Sequence, residues 1–340
     1  MKRFLATLLK IGLSAAILAY LFAQARANEV FVHLRDQPKR WEFFAAAWLL
    51  CAAAVVLTII RWRLLVRALG TTLSVRNALR IGFVGYLFNL APMGIVGGDV
   101  LKAVMLAHEQ PVGRMRALAT VAMDRALGLY VLFLIASAAI LATGLHLEPV
   151  PRLRHACHAT LLVALAGTAG MVILQIPAVT EGRLAQRAEG LPKVGPALSS
   201  LLGAFRLYRR QPGVLLAAAA MSVVVHSLFT LGVYLIAHGL SEDAHTLGAH
   251  FAAVPLSSAA GVIPLPLGPF EAVLDFLYAA IPGRVRIPAG QGLVVALAYR
   301  IVTVLVAAVG IGYYLGARRE VSEVLQEAQQ ADVQRGGGEG

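Results

Sequence analysis

The stretch NLAPMGIVGGDVLKAVML, Asn89 to Leu106, starts as apolar helix, breaks up over Pro92, Gly94, Gly97 and Gly98, and resumes at once with an acidic residue, Asp99. It lies in a 340-residue chain that is 59% hydrophobic and only 14% charged, where a soluble domain carries about 25% charged residues. Mean hydropathy is +0.74. Helix breakers at membrane depth expose unpaired N–H and C=O groups, each costing several kcal/mol against lipid, so they persist only where protein buries them or water fills a cavity beside them. The chain therefore reads as an all-α polytopic membrane bundle whose helices are interrupted for a purpose.

The two arms beside the break are too short to cross alone. Residues 78–90 give about 20 Å of helix and residues 99–108 about 15 Å, against a hydrocarbon core of about 30 Å. One kinked span would put Arg114 and Arg116 opposite Arg76 and Arg80, whereas a re-entrant hairpin over about 78–108 keeps all four arginines on the cytoplasmic side. The hairpin is the expected form. A second break lies within Leu247 to Gly283, at Gly261, Pro264, Pro266, Gly268 and Pro269. Proline has no amide hydrogen and a fixed φ, so a continuous helix is excluded there. This segment reads as a second re-entrant hairpin of opposite orientation, with Glu242 and Asp243 on the outer face; a kinked span is the alternative.

Around the breaks, six apolar runs reach spanning length: approximately Phe4 to Gln24, Phe43 to Ile60, Ala126 to Leu145, Ala159 to Ile176, Gly213 to His238 and Gly290 to Gly316. Lys2, Arg3 and Lys10, then Arg61, Arg63 and Arg67, then Arg318 and Arg319 flank them so that both termini face the cytoplasm. Met1 to Ala25 has the outline of a signal peptide, but an uncleaved first span is expected in a polytopic chain. Between the fourth and fifth spans, residues 181–210 carry Val194, Leu198, Leu201, Phe205 and Tyr208 at helical spacing, which fits an interfacial amphipathic helix or a linker packed on the bundle. Residues 320–340 read as a cytoplasmic tail, partly disordered, after one membrane domain over 1–319.

The net charge of +12 gathers in short loops beside apolar runs, as positive-inside bias and anionic headgroups require, so no nucleic-acid partner is expected. Cys51 and Cys157 have no metal or redox spacing. No phosphate-binding glycine loop with Lys-Ser/Thr, no His-Glu-x-x-His and no nucleophile elbow occurs, so neither an enzyme, a cofactor nor an ATP motor within this chain is expected.

Charges beside the breaks are the site candidates. Asp99 and Lys102 open the arm after GIVGG, where helix amides favour an anion such as phosphate; capping is the plainer role for Asp99. Glu271 and Asp275 stand one turn apart after PLPLGPF, so both carboxylates share a face. Arg300, well inside the last span, needs a partner or a wet cavity, and those two carboxylates are its nearest candidates in sequence. Asp124 and Arg125, opening the third span, are secondary candidates that pair with the first break or cap their helix. His226 reads as a hydrogen-bonded packing residue.

The motif P-x-G-x-x-G-G-D-x-x-K, Pro92 to Lys102, and the Pro/Gly-rich break before Glu271 resemble the transmembrane flippase-like domain of the lysylphosphatidylglycerol synthases, the multiple peptide resistance factors. Standalone relatives include uncharacterised inner-membrane proteins and ones associated with hopanoid biosynthesis. The likeness runs from about Leu5 to Gly316. It implies movement of a lipid with a charged or modified headgroup between leaflets, with Pro92, Gly97, Gly98, Asp99 and Lys102 matching the first motif and Glu271 the second. Lys102 stands where many relatives have Arg, which removes bidentate phosphate binding there. No aminoacyl-transferase domain follows Arg319, so synthesis of an aminoacylated lipid by this chain is not expected. The resulting expectation is a lipid translocase of the inner membrane whose substrate sits in a cavity between two re-entrant hairpins. Rival readings are a scaffold holding lipid-biosynthetic enzymes and a secondary transporter of a small polar solute.

Overall fold

The computed structural model describes residues 2–90, 97–111, 113–191, 195–263, 265, 267–283 and 286–316. Among them every regular element is a helix and none is a strand. The chain opens with α1 (Lys2–Ala27), the short α2 (Val30–Asp36) and α3 (Trp41–Arg67), followed by α4 (Val75–Leu90), α5 (Gly98–Glu109) and α6 (Arg114–Thr143). After α7 (Pro151–Ile173) come three shorter helices, α8 (Pro177–Glu181), α9 (Arg183–Glu189) and α10 (Gly195–Tyr208). The order closes with α11 (Pro212–Leu240), α12 (Leu247–Ala259), α13 (Pro269–Ala280) and α14 (Gln291–Gly316). A helix satisfies its backbone polar groups internally, which is what a lipid solvent demands.

Helices α3, α6, α7, α11 and α14 are long and apolar enough to cross a membrane, and they coincide with five of the six predicted spans. The remaining one, α1, is a helix of 26 residues, with side chains described from position 12 onward. Helix ends reach beyond the apolar runs. The third span begins at Arg114 rather than Ala126, because RMRALATVAMDR is rich in helix formers that a hydropathy window discounts for their charge. Asp124 and Arg125 therefore lie inside α6 and not at its start, so neither caps it.

Both breaks fold back as pairs of short antiparallel helices. In the first, Arg80 of α4 pairs with Glu109 at the end of α5, while Asn89 at the end of α4 donates to Asp99 at the start of α5 over 3.2 Å. Opposite ends meeting in this way is what distinguishes a hairpin from one kinked rod. With 16 and 12 residues, the arms measure about 24 and 18 Å at 1.5 Å per residue. They approach closely enough that a methyl group on Gly98 would collide with the Gly85 carbonyl oxygen. In the second pair the Tyr278 hydroxyl of α13 lies 2.6 Å from His250 Nε2 near the start of α12, and His245 Nε2 donates to the Tyr278 carbonyl over 2.8 Å.

The chain divides into two compact units, one of Met1–Val55, Leu129–Thr168 and Ser222–Val304, the other of Val56–Gly128, Ala169–Met221 and Leu305–Gly340. The first contains the α12–α13 hairpin and an apolar cluster of Leu21, Ala25, Val30, Leu34 and Leu293. The second contains the α4–α5 hairpin and α8 to α10. Residues 181–210 form no single helix: they break at Gly182 and after Glu189, and α10 carries Leu198, Leu201, Phe205 and Tyr208 of the predicted apolar face. Tyr208 and Phe205 are buried; Tyr208 donates to the Leu65 carbonyl over 2.8 Å and Gln211 to that of Ala68 over 2.7 Å, tying this region to α3. Val194 and the tail 320–340 lie outside the described residues.

Candidate functional site

Within the second unit, α3, α4, α5 and α6 gather a polar cluster. Arg61 of α3 meets Asp124 of α6 at 2.9 Å, both side chains buried. Next in sequence, Trp62 donates its indole N–H to Thr120 over 3.1 Å, and Thr120 donates to the Ala117 carbonyl. Thr120, Asp124 and Gly128 recur every fourth residue, so they share one face of α6. That spacing works sterically because a Cβ at Gly128 would stand 3.3 Å from Arg61 Nη2. The charge following the second span is thus a buried ion pair, not a loop flank.

Lys102 of α5 is only 8% exposed. Its ammonium lies 4.0 Å from the centre of the Trp62 ring, a cation–π contact worth about 0.5–2 kcal/mol. Among the described residues it has no hydrogen-bond acceptor. Asp99, in the first turn of α5, receives both arms of Arg125, Nε to Oδ2 and Nη2 to Oδ1 at 2.7 Å each. Asp99 does not cap the helix: Gly97 holds that position in extended conformation, and Asp99 instead opposes the positive helix end from inside the first turn. With Arg61 held by Asp124 and Arg125 by Asp99, Lys102 is, among the described residues, the cation of the cluster without an ion-pair partner. Gly98 makes the close contact with α4, whereas a Cβ at Gly97 would meet none of the described residues. Pro92 lies outside the described residues.

The first unit holds a separate arrangement. Glu271 is 0% exposed; one carboxylate oxygen accepts the Gly268 amide over 2.8 Å and the other accepts Arg300 Nη2 over 2.7 Å. Gly268 sits at φ 112°, a conformation open to glycine, and so delivers its N–H to the third residue of α13. Arg300 keeps a 32% exposed side chain. Asp275, one turn along α13, does not join it. Its Oδ1 accepts the amides of Gly290 and Leu293 at 2.7 and 3.1 Å, capping α14 from a neighbouring helix. Of the two predicted partners, only Glu271 pairs with Arg300.

Sequence reasoning did not find Arg61, Trp62, Asn89 or Thr120. A cation after an apolar run has the same appearance whether it flanks a span or lies buried against a residue far along the chain. The histidines also escaped notice as a group: His250 touches Tyr234, Tyr278 and His238 through ring contacts. No group of three metal-ligating side chains occurs among the described residues.

Five membrane-length helices, with charged pairs carried on two short helical hairpins and the helices beside them, define a multi-pass helical membrane protein. The chain belongs to the lysylphosphatidylglycerol synthase transmembrane-region family, whose model matches residues 7–310. No curated protein and no solved structure matches it significantly.

Proposed function

We propose that the protein is a lipid translocase of the cell's inner membrane, moving a lipid with a polar or charged headgroup between leaflets without covalent chemistry. Both hairpins re-enter the bilayer in this reading, the first from the cytoplasmic side, where the N- and C-termini also lie, and the second from outside. The headgroup is handled by side chains of the hairpins while acyl chains stay in lipid. The observation that carries the reading is Lys102: a nearly buried ammonium, stacked on Trp62 and, among the described residues, paired with no carboxylate of its own, next to the Asp99–Arg125 pair whose Arg125 side chain is 60% exposed. Holding an unmatched charge at membrane depth costs roughly 2.5 kcal/mol or more, a cost that an anionic headgroup offsets when it docks. Arg300, a third exposed and anchored by Glu271, gives the second hairpin a comparable polar contact. Family membership supports a role at the membrane.

The test is leaflet exchange of a fluorescent phosphatidylglycerol in vesicles containing the purified chain. Lys102→Met, which keeps a long apolar stem against Trp62, and Arg300→Gln should each abolish exchange while the folded fraction stays unchanged. Exchange at the wild-type rate in both variants would end the assignment.

A further inference from the structure

Away from these clusters, the α3–α4 connection, the α5–α6 connection and the first turn of α6 enclose a cleft of about 200 Å³ lined by Gly70, Thr71, Thr72, Gln110, Pro111 and Arg116, among others. Its polar wall includes several uncommitted donors. Arg116 is exposed and pairs with no carboxylate among the described residues, and the Gln110 carboxamide is likewise unpartnered there. The backbone amides of Thr71 and Thr72 donate to no carbonyl among the described residues. They follow Gly70, whose φ of 83° turns the chain left-handed; the amides of Leu69 and Gly70 are bonded to the carbonyls of Val66 and Arg67, which leaves those of Thr71 and Thr72 for a ligand. The opposite wall is the start of α6, the positive end of a 30-residue helix. Among the described residues no acidic one lines the cleft, and Arg67 and Arg76 stand exposed in the flanking turns of α3 and α4.

Size narrows the ligand further. Pockets for drug-sized molecules start at about 300 Å³, so this cleft is too small for a nucleotide or an organic cofactor and suits a phosphate group with a small substituent. We infer that the cleft is a phosphate-anion site, separate from Lys102 and its neighbours, taking the headgroup phosphate of an anionic phospholipid or a free phosphate. It rests on different residues from the translocation reading, and its test is a binding measurement that needs no exchange.

Native mass spectrometry of the full chain in non-ionic detergent, titrated with dioleoyl-phosphatidylglycerol, reads the lipid source; calorimetric titration with inorganic phosphate reads the free one. Losing one charge-assisted fork weakens a phosphate contact about tenfold, so Arg116→Gln should lower the affinity of one phosphatidylglycerol by that factor. Arg152→Gln, exposed at the start of α7, removes the same charge and should leave it unchanged. Displacement of that lipid by inorganic phosphate, or a loss of phosphate affinity alone in Arg116→Gln, also supports the site and identifies which source it prefers. The inference is overturned if neither ligand binds more weakly to Arg116→Gln and to the double variant Gln110→Ala/Arg116→Gln, or if Arg152→Gln weakens binding equally.

Discussion

Arg125 holds Asp99 with a two-pronged guanidinium contact, 2.7 Å on each prong, although the two residues come from different helices and stand 26 positions apart. The contact fastens the start of α5 to the middle of α6 beside the unmatched Lys102. The side chains of Arg125 and Asp99 are 60% and 34% exposed, so the pair is not locked into a packed core. Its value lies in geometry. Arg125→Lys keeps the charge and loses the fork, and is expected to cut lipid exchange at least tenfold with a thermal midpoint within a few degrees of wild type. Unchanged exchange would show that the fork merely decorates the hairpin.

The Glu271–Arg300 pair should behave differently. Glu271 is fully buried, so Glu271→Ala strands both the Gly268 amide and the guanidinium. Removing one partner of a buried pair costs about 3–5 kcal/mol, the loss expected here. The double variant Glu271→Met/Arg300→Met should recover most of that loss in thermal or denaturant unfolding, yet show no exchange. Recovery of both stability and exchange would assign the pair a purely structural role.

Adjacent glycines offer a sharp contrast. Among the described residues a Cβ at Gly97 meets nothing within 4 Å, while one at Gly98 runs into the Gly85 carbonyl. Gly97→Ala is expected to be stable within about 0.5 kcal/mol, and Gly98→Ala to lose more than about 2 kcal/mol as α4 and α5 are forced apart. Equal unfolding midpoints for the two variants would contradict the close approach.

Asp275 caps α14 by accepting two amides across a helix boundary. Asp275→Ala should destabilise the protein by about 1–2 kcal/mol, with hydrogen exchange rising first at Gly290 to Leu293. Protection unchanged at those amides would place the cap elsewhere.

His245 lies in the connection between α11 and α12, buried. Burial pulls its imidazole below the ordinary histidine value, and the bond to the Tyr278 carbonyl opposes this only in part. Since the unfolded chain takes up the proton near pH 6.5 while the folded one resists it, the contribution to stability is complete above about pH 6.5 and is lost as the pH falls towards the depressed value. Unfolding midpoints measured from pH 7.5 to 5 should decline on the acid side, and His245→Gln should flatten that decline. A variant as pH-sensitive as wild type would move the effect to another group.

Much of the architecture was legible along the chain. Hydropathy located α3, α6, α7, α11 and α14, and the Pro/Gly breaks located both hairpins, because span length and helix breaking are properties of contiguous residues. The candidate charges at 99, 102, 271 and 300 were legible for the same reason: an ionisable residue in an apolar run stands out locally. Helix ends were less so, since α6 extends through Arg116 and Asp124 on helix propensity that hydropathy cannot register.

The sequence by itself determined a polytopic helical membrane protein, two interrupted segments and the charges beside them. Only the tertiary structure decided who pairs with whom: Arg61 with Asp124, Arg125 with Asp99, Arg300 with Glu271 and not Asp275, and Lys102 with an aromatic ring. Partner choice between helices depends on axial register and rotation. A shift of one residue turns a helical side chain by about 100°, enough to exchange one partner for another without altering any local signal that the sequence carries.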